Sequence, residues 1–332
     1  MTNSFDYAPQ IPGLKFRTFN GEADYPQIAR VLTASGMADK VERQVSAKDI
    51  AKAFQHLSNC NPQRDLLIGE VDGAMVGYTR GWWEEGENGV RVYAQNGFLV
   101  PEWRRKGIGT ALLREMENRL RKVASAHPAE LEKVFQVNVS QHQTGTKVML
   151  EHAGYEPVRH FYSMVRPSLE NIIEYPLPEG LEVRMAEPDH YRAIWKAIAE
   201  TSRDEWGHHE LTEQDYQDWL LGELFQPELW QVAWDVVTGE VAGTVLTYIH
   251  HQENQQFKRL RGYTEGIGVI RPWRRRGLAR ALISLSLKAQ REAGMTESAL
   301  VADTDSTSNV VTLYESCGFQ VAKKDTLFRK KL

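Results

Sequence analysis

The sequence predicts a duplicated mixed α/β protein, with two successive domains that each pack helices on the faces of a mixed sheet. Three observations predict it. The chain has 332 residues, about twice the usual size of a single domain. Strand-like runs alternate with helix-like runs through both halves. Three short segments of the first half also recur, in the same order, in the second, which is how a duplicated architecture shows itself.

The clearest recurrence is Val100-Pro-Glu-Trp-Arg-Arg-Lys-Gly-Ile-Gly109 against Ile270-Arg-Pro-Trp-Arg-Arg-Arg-Gly-Leu-Ala279, with Arg104 and Arg274 offset by 170. Upstream, Gly73 to Gly77 mirrors Gly239 to Gly243 at an offset of 166. Downstream, Leu150-Glu-His-Ala-Gly-Tyr155 mirrors Tyr314-Glu-Ser-Cys-Gly-Phe319 at 164. Small drifts of offset are what loop insertions between fixed elements produce.

Each copy predicts the same order of elements. A short alternating strand (Leu14 to Phe19; Leu181 to Met185) precedes a helical stretch. Two strands about a glycine-containing turn follow: Leu66 to Val71 with Met75 to Trp82, and Gln231 to Val236 with Val241 to Ile249. A fourth strand (Ala94 to Val100; Thr264 to Ile270) runs into the Arg/Gly segment and a long helix. That helix puts Ile108, Leu112, Met116 and Leu120 on one face in the first copy. In the second it puts Leu278, Leu282, Leu285 and Ala289 there, and Gly294 ends it. A fifth strand, a short helix and a final hairpin complete each copy. Pro176, Pro178 and Gly180 interrupt the periodicity, so the expected boundaries are a first domain at 1–167, a linker at 168–180 and a second domain at 181–332.

Composition narrows the class. Apolar residues at 42% and charged residues at 25% are globular proportions. A formal net charge of -4 excludes a strongly basic nucleic-acid binder. Two cysteines, Cys60 and Cys317, make neither a disulfide framework nor a metal-ligand spacing. No apolar run approaches the ~18 residues that would span a bilayer, and no leader pattern of basic residues followed by an apolar core is evident. The expectation is a soluble, cytoplasmic protein that needs neither membrane nor metal.

Arg274-Arg-Arg-Gly-Leu-Ala279 lies between a predicted strand and a predicted helix. A helix start leaves N–H groups unpaired and favours an anion. Gly277 and the small Ala279 permit close approach of a phosphate, and the arginines add charge. Taken alone, a tight turn with solvated arginines explains the segment equally well. Its duplication after the fourth strand favours a diphosphate cradle. A Walker-type loop is excluded because no Gly-Lys-Ser/Thr follows, and a dinucleotide fingerprint needs another glycine spacing.

With Asn309-Val-Val-Thr-Leu-Tyr314-Glu-Ser-Cys-Gly-Phe319 added, these segments resemble the GNAT N-acetyltransferase superfamily. The tandem arrangement is similar to mycothiol synthase-like double-domain acetyltransferases. The resemblance implies acetyl-CoA as co-substrate, with its pyrophosphate at the Arg/Gly segment, Asn309 near the pantetheine arm and Tyr314 protonating the departing thiolate. It places cofactor contacts at Val269, Ile270, Arg274, Arg275, Arg276, Gly277, Leu278, Ala279, Arg280 and Asn309. The matching positions Val100, Arg104, Arg105, Lys106, Gly107, Ile108 and Gly109 form a second candidate cradle.

The copies are not equivalent. Tyr314 corresponds to Leu150, Asn309 to Gly145, and Glu265 of the fourth strand to Gln95. Amine acetylation needs a proton acceptor, a donor for the carbonyl oxygen and a proton for the leaving thiolate. Glu265 is the candidate base, Tyr314 the candidate acid, and a backbone N–H near Val269 the candidate oxyanion donor. Gly266 and Gly268 suit a bulge that would turn such groups outward. The expected reaction is acetyl transfer from acetyl-CoA to the primary amine of a small molecule, catalysed by the second copy. A protein N-terminus or lysine as acceptor, and a non-catalytic acyl-CoA-binding module, stay open. His208-His209 near Trp206 reads as a pocket wall rather than a metal site, His250-His251 as a polar loop start, and Trp82-Trp83-Glu84-Glu85 as a strand end with one buried tryptophan.

Overall fold

The computed structural model describes residues 8–332 except 43–44, 87–88, 205, 208–209 and 306–308; the His208-His209 pair lies outside the described residues. The chain forms two compact units. One comprises residues 1–159 together with 325–332, the other residues 160–324.

The first unit contains β1 (Leu14–Thr18), α1 (Tyr25–Ala38), α2 (Ala47–Gln55), α3 (Pro62–Asp65), β2 (Leu66–Val71), β3 (Ala74–Glu85), β4 (Arg91–Leu99), α4 (Ile108–Ala124), β5 (Lys133–Ser140) and α5 (Thr144–His152). The chain then enters β6 (Glu156–Arg166) and crosses into the second unit. There follow β7 (Leu181–Arg184), α6 (Tyr191–Ser202), α7 (Glu213–Leu220), β8 (Gln231–Asp235), β9 (Val241–Ile249), α8 (His251–Phe257), β10 (Arg261–Val269), α9 (Leu278–Glu292), β11 (Glu297–Asp303), α10 (Val310–Ser316) and β12 (Gln320–Lys331).

In the first unit β1 to β4 pair antiparallel in sequence order, and β5 joins β4 in parallel. In the second, β7 to β10 repeat the pattern and β11 joins β10 in parallel. α4 buries Ile108, Leu112, Met116 and Leu120, the predicted face. α9 turns further than predicted. Leu285 and Ala289 are half-buried, while Ala281, Ser286 and Gln290 join Leu278 and Leu282 inside. Gly294, at φ +84°, ends α9, and the Met295 N–H reaching back to Gln290 O closes the helix in a Schellman-type turn.

The domain boundaries differ from those expected, and the final hairpins do not form within each copy. Residues 325–331 of β12 pair antiparallel with Val134 to Ser140 of β5, and Phe328 sits in the first unit's core. Residues 161–166 of β6 pair with β11, and Met164 sits in the second unit's core. Each copy's last strand therefore completes the other copy's unit. The free edge of a fifth strand needs an antiparallel partner, and two related copies offer edges that local sequence pattern does not distinguish. The expected linker is likewise structured. Leu169 is buried and donates its N–H to Thr296 O, Tyr175 donates its hydroxyl to Ser316 O, and Ile173 O accepts from Ser284 Oγ.

The exchanged strand is anchored by charge as well as by its ladder. Lys330 Nζ lies 2.9 Å from both carboxylate oxygens of Glu117, a buried residue of α4 that also accepts from Arg121. Removing one partner of a buried pair leaves the other uncompensated. Lys330→Met is expected to lower the stability of the first unit by about 2 kcal/mol, read as a lower urea midpoint for that unit's transition.

Candidate active site

Both units build the same strand-to-helix turn. Arg105 and Gly107 in the first, and Arg275 and Gly277 in the second, lie in the left-handed region at φ of 62° and 84°, and 62° and 88°. Glycine adopts it freely, but an arginine there costs roughly 1–2 kcal/mol. The first arginine of each turn holds it in place. Arg274 Nε donates to Val269 O (2.8 Å), and its guanidinium lies 2.7 Å from Asp204, just beyond α6. Arg104 Nε donates to Leu99 O (3.3 Å), and its guanidinium meets Asp39, just beyond α1, at 2.6 Å. Arg271 and Arg274 hold the Asp204 carboxyl below the ordinary range. Sequence reading missed both acids, although their common offset of 165 was a signal.

The basic residues of the segment thus divide their tasks. Arg104 and Arg274 are engaged by acids. Lys106 and Arg276 lie over Trp103 and Trp273, at 4.2 and 4.9 Å from the ring centroids. Arg280 donates to Ser316 Oγ. Ile108 and Leu278 are buried and anchor their helices in the cores. The backbone N–H and C=O of Val100 and of Ile270 are used within the fold. The turn's remaining N–H groups, at 105–110 and 275–280, have no backbone acceptor among the described residues. These groups, with Arg105 and Arg275, are what an incoming pyrophosphate would meet.

Beside each turn the sheet opens. The parallel ladder of β4 and β5 ends at Ala94–Gln136, and that of β10 and β11 at Tyr263–Ala299, although the strands run on. Glu265 lies just past that point, and its Oε1 accepts the N–H of Val301 on β11 at 3.1 Å. The expected bulge is present: the β9–β10 register shifts between Glu265 and Gly268, Gly266 has φ +58°, and Thr244 Oγ1 donates to Gly266 O. A Cβ on Gly266 would lie 2.7 Å from Leu246, and one on Gly268 2.5 Å from Thr201. Tyr248 and Tyr263 stack at 4.9 Å on the face that carries Glu265. Burial, followed by the Glu265 charge, pushes the Tyr248 hydroxyl well above its ordinary pKa.

Beneath β10 lies a buried polar network that the sequence reading also missed. Thr264 Oγ1 lies 2.9 Å from Ser298 Oγ on β11 and accepts from Gln290 Nε2 at 2.8 Å, and Thr247 Oγ1 lies 2.6 Å from Ser286 Oγ. It ties three strands to α9 directly under the residue next to Glu265.

Tyr314 is buried in the second unit's core on α10, its ring edge-on to Phe319 at 6.4 Å. Asn309 occupies the N-cap position at φ 35°, but its side chain accepts the Thr312 hydroxyl rather than a backbone N–H. In the first unit Leu150 is fully buried, Gly145 lies under the Arg105 guanidinium, and buried Gln95 donates to the Tyr155 hydroxyl at 3.1 Å. Arg104, Arg105, Gly107 and Gly109 there face a cavity of about 280 Å³ that Gln95 and Leu150 also line. The first unit thus retains an open cleft at its cradle without the Tyr and Glu of the second. His250, expected as a loop start, caps α8 by accepting the Glu253 N–H.

The turn and the parted strands recur in both units, whereas β3 and β4 stay in register where β9 and β10 are bulged. The acetyltransferase (GNAT) family profile matches residues 191–319, and a GNAT domain profile matches residues 62–157. The chain belongs to the GNAT acetyltransferases, in two copies. A mycothiol acetyltransferase of Geodermatophilus obscurus is 28% identical over 80% of this chain and 82% of its own, and one of Streptomyces griseus subsp. griseus is 29% identical over 78% of each. The crystal structure of a GCN5-related N-acetyltransferase from Sphaerobacter thermophilus covers 96% of this chain and 95% of its own, with a TM-score of 0.78 at 26% identity. The protein is an acetyltransferase, and acetyl-CoA is the co-substrate of its family. Among the described residues no helix is long and apolar enough to cross a membrane.

The bulge sets where Glu265 and the following N–H groups point, and a misplacement of about 1 Å costs roughly a hundredfold in rate. Gly266→Val is expected to lower turnover by about that factor while acetyl-CoA affinity stays within about threefold of wild type, as steady-state kinetics and calorimetry would show.

Proposed function

We propose that the second unit transfers the acetyl group of acetyl-CoA directly to a primary amine of a small molecule, with both substrates bound together. The observation that carries this is Glu265, a carboxylate oriented by Val301 N–H where the parallel strands part, on the same strand as the bulge that leads into the cradle. Glu265 takes a proton from the acceptor ammonium, directly or through a water, and the freed amine attacks the thioester carbonyl. An N–H near Val269 meets the developing oxyanion. The C–S bond then breaks, the thiolate takes a proton from the Tyr314 hydroxyl, and the proton that the attacking nitrogen sheds as the amide forms restores the tyrosine through solvent. Holding two reactants in one cleft supplies most of the acceleration. A small-molecule acceptor is supported by the relatives named mycothiol acetyltransferases. In the first unit Gln95 has no basicity and is committed to Tyr155, so its cradle binds acetyl-CoA without turning it over.

CoA release measured over a panel of amines tests the reaction. Tyr314→Phe and Glu265→Gln are each expected to lower kcat by about 10²–10⁴ with acetyl-CoA affinity retained. Release unchanged in both variants removes these two residues from the chemistry, and no release with any amine removes the reaction. Gly107→Val is expected to abolish one of two acetyl-CoA binding events in calorimetry while leaving turnover within about twofold. A single binding event in the wild-type chain overturns the role given to the first cradle.

A further inference from the structure

The segment Trp82-Trp83-Glu84-Glu85 has no part in acetyl transfer, yet it borders a second cavity of the first unit, also of about 280 Å³. This cavity lies between residues 56–60, the loop after α2, and the end of β3, and it shares no residue with the cavity at the first cradle. Neither tryptophan is fully buried, contrary to the expectation of one buried ring. Trp83 packs on His127 and carries the Arg91 guanidinium, while Trp82 lies on the opposite face of β3 with Arg80.

Arg80 is the unusual member. Its guanidinium carbon is 5.2 Å from the Trp82 ring centroid, its Nε is buried without a hydrogen-bond partner, and no ion pair to it is found among the described residues. A partly dehydrated guanidinium lacking a counter-ion is costly to hold. The neighbouring groups do not neutralise it. Glu84 is exposed and accepts from Trp82 Nε1 at 3.3 Å, nearby Asp65 is paired with Arg119 at 2.7 Å, and burial pushes the Cys60 thiol up to about 11, so it carries no charge. What fits is an anion from outside. The planar fork of arginine matches a carboxylate, the Trp82 indole on the same face of β3 supplies an apolar wall, and the volume sits at the small end of ligand pockets.

We propose that this cavity is a binding site for a small carboxylate with a flat apolar body, its carboxylate on Arg80 and its body against Trp82. The site is separate from the cradle and does not depend on the acetyl-transfer reading. The test is calorimetric titration of the full chain, saturated with CoA, with benzoate, benzamide and inorganic phosphate. Benzoate is expected to bind with CoA present, and benzamide and phosphate each at least about tenfold more weakly. Arg80→Met is expected to weaken benzoate at least tenfold while melting at the wild-type temperature. Equal affinity for benzoate and benzamide, competition between benzoate and CoA, or benzoate binding retained in a folded Arg80→Met chain each overturns the proposal. The comparison of charged and neutral probes in the wild-type chain decides the matter even where that variant does not fold.

Discussion

Each unit depends on one arginine that bridges the fourth strand and the first helix region. Arg274 ties Val269 O to Asp204, and Arg104 ties Leu99 O to Asp39. Between those anchors the backbone passes twice through left-handed conformations, once at an arginine and once at a glycine. The local cost of that path exceeds a typical net hydrogen bond, so the turn persists only because the ion pair and the strand carbonyl hold its ends. In return, a run of N–H groups is left without internal acceptors at the mouth of an opening sheet. The charge of the first arginine in each turn thus serves to fold it, while Arg105, Arg275 and the main-chain N–H groups stay outside those pairs.

The second constraint lies in β10. β10 opens on one side while staying paired with β9 on the other, and its bulge is made at Gly266 and Gly268, where Leu246 and Thr201 leave no room for side chains. The hydroxyl network of Thr247, Thr264, Ser286, Ser298 and Gln290 fixes the strand from beneath. Buried hydroxyls and amides are costly unless satisfied; here the four hydroxyls and Gln290 Nε2 are paired, while Gln290 Oε1 is buried without a partner. The first unit has apolar Met116 and Leu120 at the positions matching Ser286 and Gln290. Its polar demands have moved to Gln95, Tyr155, Glu117 and Lys330, the last of which secures the exchanged strand.

Much of this was legible beforehand. The repeat revealed the duplication, the order of strands and helices and the turn, and Gly266 with Gly268 revealed the bulge, because glycine spacing and apolar alternation are local consequences of backbone sterics. Three features were not legible. The buried face of α9 includes Ser286 and Gln290, which a pattern of apolar residues passes over. The two clamping acids lie 65 and 70 residues from their arginines, and pairing at that distance is set by packing. The stretch 168–180 looked like a linker because its prolines break periodicity, yet irregular backbone can still be buried when its groups find partners.

The sequence by itself determined the family, the two cradles and the asymmetry between them, since each follows from which residue types occupy matched positions. Only the tertiary structure decided which copy each closing strand completes, where the arginines spend their charge, and that Arg80 has no ion pair among the described residues. Those outcomes are contests among distant partners of similar local character. They are settled by which buried contacts each strand and side chain completes, with Phe328 filling the first unit's core and Met164 the second's.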